Sequence, residues 1–113
     1  TETSTVKNVN NEVTVTRLSG NSVVEAIYAR GILNHIVMLN VYIKANGSTS
    51  EGSDIFKGKI SDNYKPLLTA KGTAYQTTSV YSYELNSDGS FNLRCSKGEF
   101  VNGTICCELM YLL

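Results

Sequence analysis

Along the chain, apolar and polar residues alternate in short runs, and a period of two lets each run bury one face as a β-strand. The clearest case is Tyr81, Tyr83 and Leu85, then Phe91, Leu93 and Cys95. Between these runs, Asp88-Gly89 supplies residues that accept positive φ in a tight turn, so the stretch predicts a hairpin. A second strong run spans Asn34 to Ala45, with His35, Val37, Leu39, Val41 and Ile43 on one parity. That parity is expected to face the core, and the alternate set from Ile36 to Lys44 to face away.

Further strands are expected over Glu12–Leu18, which is rich in β-branched residues, and over Ser22–Arg30. For the latter a helix is conceivable from Ala and Glu, but the segment is short and flanked by Gly. Asp54–Ile60 predicts a strand in which Gly58 marks a bulge, and Leu67–Gln76 one more, interrupted by Gly72. Thr104–Leu113 closes the chain as a strand that stays apolar to Tyr111-Leu112-Leu113. Residues 1–11, rich in Thr, Ser and Asn, read as a linker or as a lead-in that orders on assembly, and 46–53 and 96–103 as polar loops. The only proline follows the turn Ser61-Asp62-Asn63-Tyr64-Lys65 and pushes residue 65 to extended geometry.

About seven or eight short strands separated by turn signals imply an all-β, jelly-roll-like antiparallel β-sandwich. The absence of any long amphipathic pattern argues against a parallel βαβ fold. At 113 residues the chain fits one domain with a real core. It divides into a linker or shoulder segment at 1–21, carrying one strand, and a head at 22–113. An apolar last strand points to an end buried in a sheet or against another subunit, with Tyr111, Leu112 and Leu113 as interface candidates.

Formal charge sums to zero at pH 7, which disfavours nucleic acid or an anionic membrane as partner, although a local basic patch can hide in the average. No apolar run approaches the ~20 residues that span a bilayer, and the first residues lack a signal-peptide layout, so no membrane insertion is expected. The chain starts at Thr1 without Met, as a fragment or processed product does. Three cysteines, Cys95, Cys106 and Cys107, imply no disulfide framework and read as reduced, mostly buried small hydrophobes, which fits assembly inside a cell. With His35 as the one imidazole and no Cys-x-x-Cys, no metal or cofactor is expected.

Nothing in the chain points to catalysis. His35 lies on the apolar parity, where packing explains it better than proton transfer. Glu51, Asp54 and Asp62 make a glycosidase pair only if they converge, and loop acids are more often solvated. The glycine-rich 47–52 stretch lacks the lysine and the strand-to-helix setting of a phosphate loop. Asn46-Gly47-Ser48 and Asn102-Gly103-Thr104 match the N-glycosylation pattern but are more simply turn residues. Of seven tyrosines, most fall in predicted strands, while Tyr64 and Tyr75 lie in or beside turns. A tyrosine ring exposed beside Asp62 and Asn63, or beside Gln76, offers a flat apolar face and paired hydrogen bonds, which suit a sugar's CH face and hydroxyls. Asp62, Asn63, Tyr64, Tyr75 and Gln76 are therefore the candidate saccharide-binding residues, against the plainer reading of both tyrosines as packed under loops.

Five strings in order carry a resemblance: Tyr28-Ala29-Arg30-Gly31-Ile32; Ile36 to Ile43; Lys59-Ile60-Ser61-Asp62-Asn63-Tyr64-Lys65-Pro66; Leu85 to Phe91; and Leu109-Met110-Tyr111-Leu112-Leu113. Together they resemble the C-terminal head domain of bacteriophage tail-fibre and receptor-binding proteins, over roughly residues 22–113. Asn63 stands where such heads have Gly, and Lys65 where they have Arg. The resemblance implies a homotrimer at a phage tail tip or baseplate, assembled in the bacterial cytoplasm, that binds host cell-surface saccharide without covalent chemistry. It carries over no binding residue. The alternative is a monomeric bacterial adhesin or carbohydrate-binding module of a surface protein, and a small β-fold hydrolase stands third.

Overall fold

The computed structural model describes residues 5–18, 23–33 and 36–113, with side chains described for 9, 11–14 and 36–113. Among the described residues nine strands run in chain order: β1 (Thr5–Asn8), β2 (Val13–Leu18), β3 (Val23–Leu33), β4 (Ile36–Ser50), β5 (Asp54–Ile60), β6 (Ala70–Gln76), β7 (Ser79–Leu85), β8 (Ser90–Lys97) and β9 (Glu99–Leu112). Two short 3-10 turns cover Asn10–Glu12 and Asp62–Tyr64. All pairing is antiparallel, in a four-stranded sheet β1-β3-β4-β9 and a five-stranded sheet β2-β5-β8-β7-β6. The expected all-β sandwich is present.

Alternation selects the core. On β4, Val37, Leu39, Val41, Ile43 and Ala45 are buried, and from β9 Ile105, Cys107, Leu109 and Tyr111 join them. The opposite sheet contributes Tyr81, Tyr83 and Leu85 from β7, and Phe91, Leu93 and Cys95 from β8. Edge-to-face ring pairs pack the core: Phe56 with Phe91 at 5.6 Å between centroids within the five-stranded sheet, and Tyr81 with Phe100 of β9 at 5.7 Å across the two layers. His35, expected on the core-facing parity of β4, lies outside the described residues.

The expected hairpin forms between β7 and β8. Asn86 N–H donates to Ser90 O and Gly89 N–H to Asn86 O, with Gly89 at φ +92°. The Asp88 carboxylate accepts from both the Ser90 N–H and its hydroxyl. These bonds hold the Asp88 carboxyl below its ordinary range, with the nearby Lys59 charge adding to the effect.

Three expectations are corrected. The 46–53 and 96–103 segments are largely strand, because β4 and β9 continue to pair past Ala45↔Gly103 and resume at Ser48↔Val101 through Ser50↔Glu99. Two residues of β4, Asn46 and Gly47, face one of β9, Asn102, in a bulge where Gly47 takes φ +100°. Gly47 N–H donates to Asn102 Oδ1, so both glycosylation-like triplets form parts of one structural irregularity. Residues 1–11 are not a linker throughout: β1 pairs with β3, and Val9 is buried in the core. With β2 on β5, the described part of the 1–21 segment is built into both sheets. The irregularity expected at Gly58 falls on its partner strand, where the β2–β5 register shifts between Val15 and Arg17. Gly58 itself is close-packed, since a Cβ there would meet Thr14 O at 2.7 Å.

Candidate functional site

The five-stranded sheet turns alternate residues outward, and its register lines them up in rows. Lys57 sits opposite Asn92, Asn92 opposite Glu84, and Glu84 opposite Lys71, so four polar side chains cross β5, β8, β7 and β6 in one line. Adjacent rows carry Lys59 and Ser90 on one side, and Arg94, Ser82 and Thr73 on the other. Two depressions flank the central line. One, of about 410 Å³, lies over Lys71, Thr73, Ser82 and Arg94; the other, of about 380 Å³, lies over Lys57, Lys59, Asn86 and Ser90. Both are also lined by Glu84 and Asn92, which makes them a single trough. With strands ~4.8 Å apart, the four-strand row spans roughly 15 Å.

Side chains in the trough differ in how firmly they are held. Arg94 donates through Nε and Nη2 to Gly52 O, at 3.1 and 2.9 Å, which fixes its guanidinium plane. Lys71 stands 4.0 Å from Glu84, and Lys57 3.6 Å from Asp54. Lys59 makes no ion pair among the described residues. Ser82 and Ser96 hydroxyls bond each other. Asn92 Oδ1 is buried without a hydrogen-bond partner from the protein, an arrangement that costs about 1–3 kcal/mol. Tyr75 continues the outward parity of Lys71 and Thr73 along β6 and is 73% exposed. Its ring is a flat face beyond the end of the trough.

The candidates read from sequence separate into two groups. Asp62, Asn63 and Tyr64 form the 3-10 turn after β5, at the end of the sandwich that carries the 86–89 turn. Tyr75 and Gln76 lie at the other end of β6, roughly 20 Å away along the strand. Asp62 is exposed and pairs with Lys65 at 2.7 Å; that bond and charge, with a smaller contribution from Lys59, lower its carboxyl pKa. Asn63 is exposed and Tyr64 is half-buried against the core. Gln76 Oε1 accepts from the Tyr81 hydroxyl at 2.8 Å, so its carbonyl serves the interior. Of the five, Tyr75 alone shares the trough's face. Glu51 and Asp62 likewise sit at opposite ends of the five-stranded sheet, and Glu51 accepts from Gly98 N–H.

The interface candidates also divide. Tyr111 is buried in the chain's own core, and its hydroxyl donates to Tyr64 O at 2.8 Å. Burial raises its pKa. It is therefore an internal packing residue. Leu112 and Leu113 remain 48% and 42% exposed. Leu67 N–H donates to Leu112 O, which sets the exposed Leu67 and Leu68 beside them, and Met110 adds a further exposed apolar side chain on β9.

Cys95, Cys106 and Cys107 are free thiols. Burial raises the pKa of each, most strongly at Cys107. Among the described residues no group of three or more His, Cys, Asp or Glu is placed to hold a metal ion, and no helix is long and apolar enough to cross a membrane.

Sequence reasoning missed the trough residues Lys57, Lys59, Asn92, Arg94, Glu84 and Lys71. Their parity was readable, since each alternates with core residues. What places them side by side is the strand order β5-β8-β7-β6, which brings together segments up to 37 positions apart, from Lys57 to Arg94.

No protein-family model, curated protein or solved structure matches the chain.

Proposed function

We propose that this chain is the receptor-binding head of a phage tail, a homotrimer on the virion that grips host cell-surface saccharide by non-covalent contacts across the outer face of its five-stranded sheet. The observation that carries the reading is the trough: hydroxyl, amide and cationic side chains aimed the same way, with the exposed Tyr75 ring beside it. Saccharide recognition needs such paired donors and acceptors and an apolar face for the CH side of a ring. The ordered sequence strings described above supply the tail context. The apolar end formed by Leu67, Leu68, Met110, Leu112 and Leu113 supports self-association.

Burial of Tyr111 within the chain favours a second reading, a monomeric carbohydrate-binding module or adhesin, because the terminal strand then needs no neighbour to cover its largest side chain. Light scattering on the eluting protein separates the two: a trimer mass supports the tail head, a monomer mass the module. Binding is tested with a glycan panel and with whole bacterial cells, and a chain that retains neither removes the saccharide reading.

A further inference from the structure

We infer that the trough selects an acidic glycan, one carrying carboxylate or phosphate groups among its hydroxyls, over a neutral one. The inference rests on the saccharide-binding reading and names the ligand class for the same face. Its first ground is charge. The residues lining the two depressions include four cations, Lys57, Lys59, Lys71 and Arg94, against the single carboxylate of Glu84, in a chain whose formal charge sums to zero. Two of these lysines stand near internal carboxylates, Lys71 near Glu84 and Lys57 near Asp54. Lys59 forms no ion pair among the described residues, its charge reaching Asp62 and Asp88 only at longer range, and it lines the depression beside Ser90. A ligand anion there gains a charge-assisted contact without breaking an internal pair.

The second ground is Asn92. Its side chain lines both depressions, yet its Oδ1 lacks a donor from the protein. Rotation of the amide turns that acceptor toward the trough, where a ligand hydroxyl satisfies it. An anionic group over Lys59 and a hydroxyl over Asn92, one cross-strand row apart, match a chain of acidic sugars better than an isolated ion. The face suits single-stranded nucleic acid less well, because such sites stack successive bases on several aromatic rings. Tyr75 is the one aromatic ring described along this outward face.

The test titrates the full chain by calorimetry at low salt with four probes: polygalacturonate, poly(glycerol phosphate), neutral dextran and an oligothymidylate. The two acidic glycans separate carboxylate from phosphate as the anion source. Binding of at least one acidic glycan is expected, weakened about fivefold by Lys59→Gln and further by Lys57→Gln with Lys59→Gln, and weakened by added salt. Lys44→Gln, which removes a cation from the other sheet, serves as the control and leaves binding unchanged; circular dichroism verifies that each variant is folded. Equal binding of dextran, unaffected by Lys59→Gln, overturns the acidic-ligand inference and leaves saccharide binding standing. Tighter binding of the oligothymidylate than of either acidic glycan overturns it as well. Failure of all three glycan probes here, together with an empty glycan panel and no cell binding, overturns both.

Discussion

Tyr83→Phe isolates one hydroxyl that joins the two sheets. Tyr83 sits on β7 of the five-stranded sheet, 6% exposed, and its hydroxyl donates to Glu108 O at 3.2 Å and accepts from Glu108 N–H at 3.1 Å. Glu108 belongs to β9, the edge strand of the four-stranded sheet, so both of its backbone groups are satisfied by a side chain of the opposing layer. The hydroxyl's surroundings also raise its pKa, chiefly through burial. Phenylalanine keeps the ring and its apolar contacts, so no cavity term enters. The loss is two hydrogen bonds and the partial stranding of a backbone N–H and C=O, which together are worth about 1–3 kcal/mol. Against a domain stability of about 5–15 kcal/mol, that is a measurable fraction. Urea unfolding followed by circular dichroism should show the midpoint falling by about 1 M with the slope unchanged. Hydrogen exchange should show faster exchange of the Glu108 amide. Tyr75→Phe, at an exposed ring, serves as the comparison and should leave the midpoint in place. A Tyr83→Phe protein within about 0.3 kcal/mol of wild type would refute the sealing role of this hydroxyl.

Three further outcomes follow from the same geometry. Gly72→Ala, which in a strand interior ordinarily stabilises, should here destabilise by about 1–3 kcal/mol, because the new Cβ would fall 2.5 Å from a Tyr83 ring held at its hydroxyl end; thermal melts give the sign. The Asp88 carboxyl is depressed below 3.8 in the folded chain, so its contribution is present above that pH and is lost as pH falls through the folded value; the melting temperature should drop on acidification, and less steeply for Asp88→Asn. Met110→Lys with Leu112→Ser alters side chains that are 66% and 48% exposed, so it should leave the melt nearly unchanged while giving a monomer mass by light scattering where the proposed trimer gives three times that mass.

Most of the fold is legible in alternation. The hairpin residues Tyr81, Tyr83, Leu85, Phe91, Leu93 and Cys95, and the β4 residues Val37 to Ile43, are buried as their parity predicts. Composition misled at Asn46–Ser50 and at Glu99–Gly103, where Asn, Gly, Ser and Thr suggest loops. Each segment is the other's pairing partner, and a bulge absorbs the glycines; local propensity does not carry that information. Proximity to an apolar terminus marks Tyr111 as an interface candidate. Its inward parity, shared with Cys107 and Leu109, was the better guide. The candidate binding face was least legible, because a row such as Lys57, Asn92, Glu84 and Lys71 exists only once strand order and register are fixed.

The central claim is that the outer face of the five-stranded sheet is the face that meets ligand. Amide chemical-shift mapping of the labelled chain, titrated with whichever acidic glycan binds most tightly, tests it most directly. The account predicts that the largest shifts cluster on β5 to β8, at Lys57, Lys59, Thr73, Ser82, Glu84, Asn92 and Arg94, with the β4 and β9 outer face unmoved. Shifts centred on Met38, Met110 and Leu112 with the trough silent would contradict it.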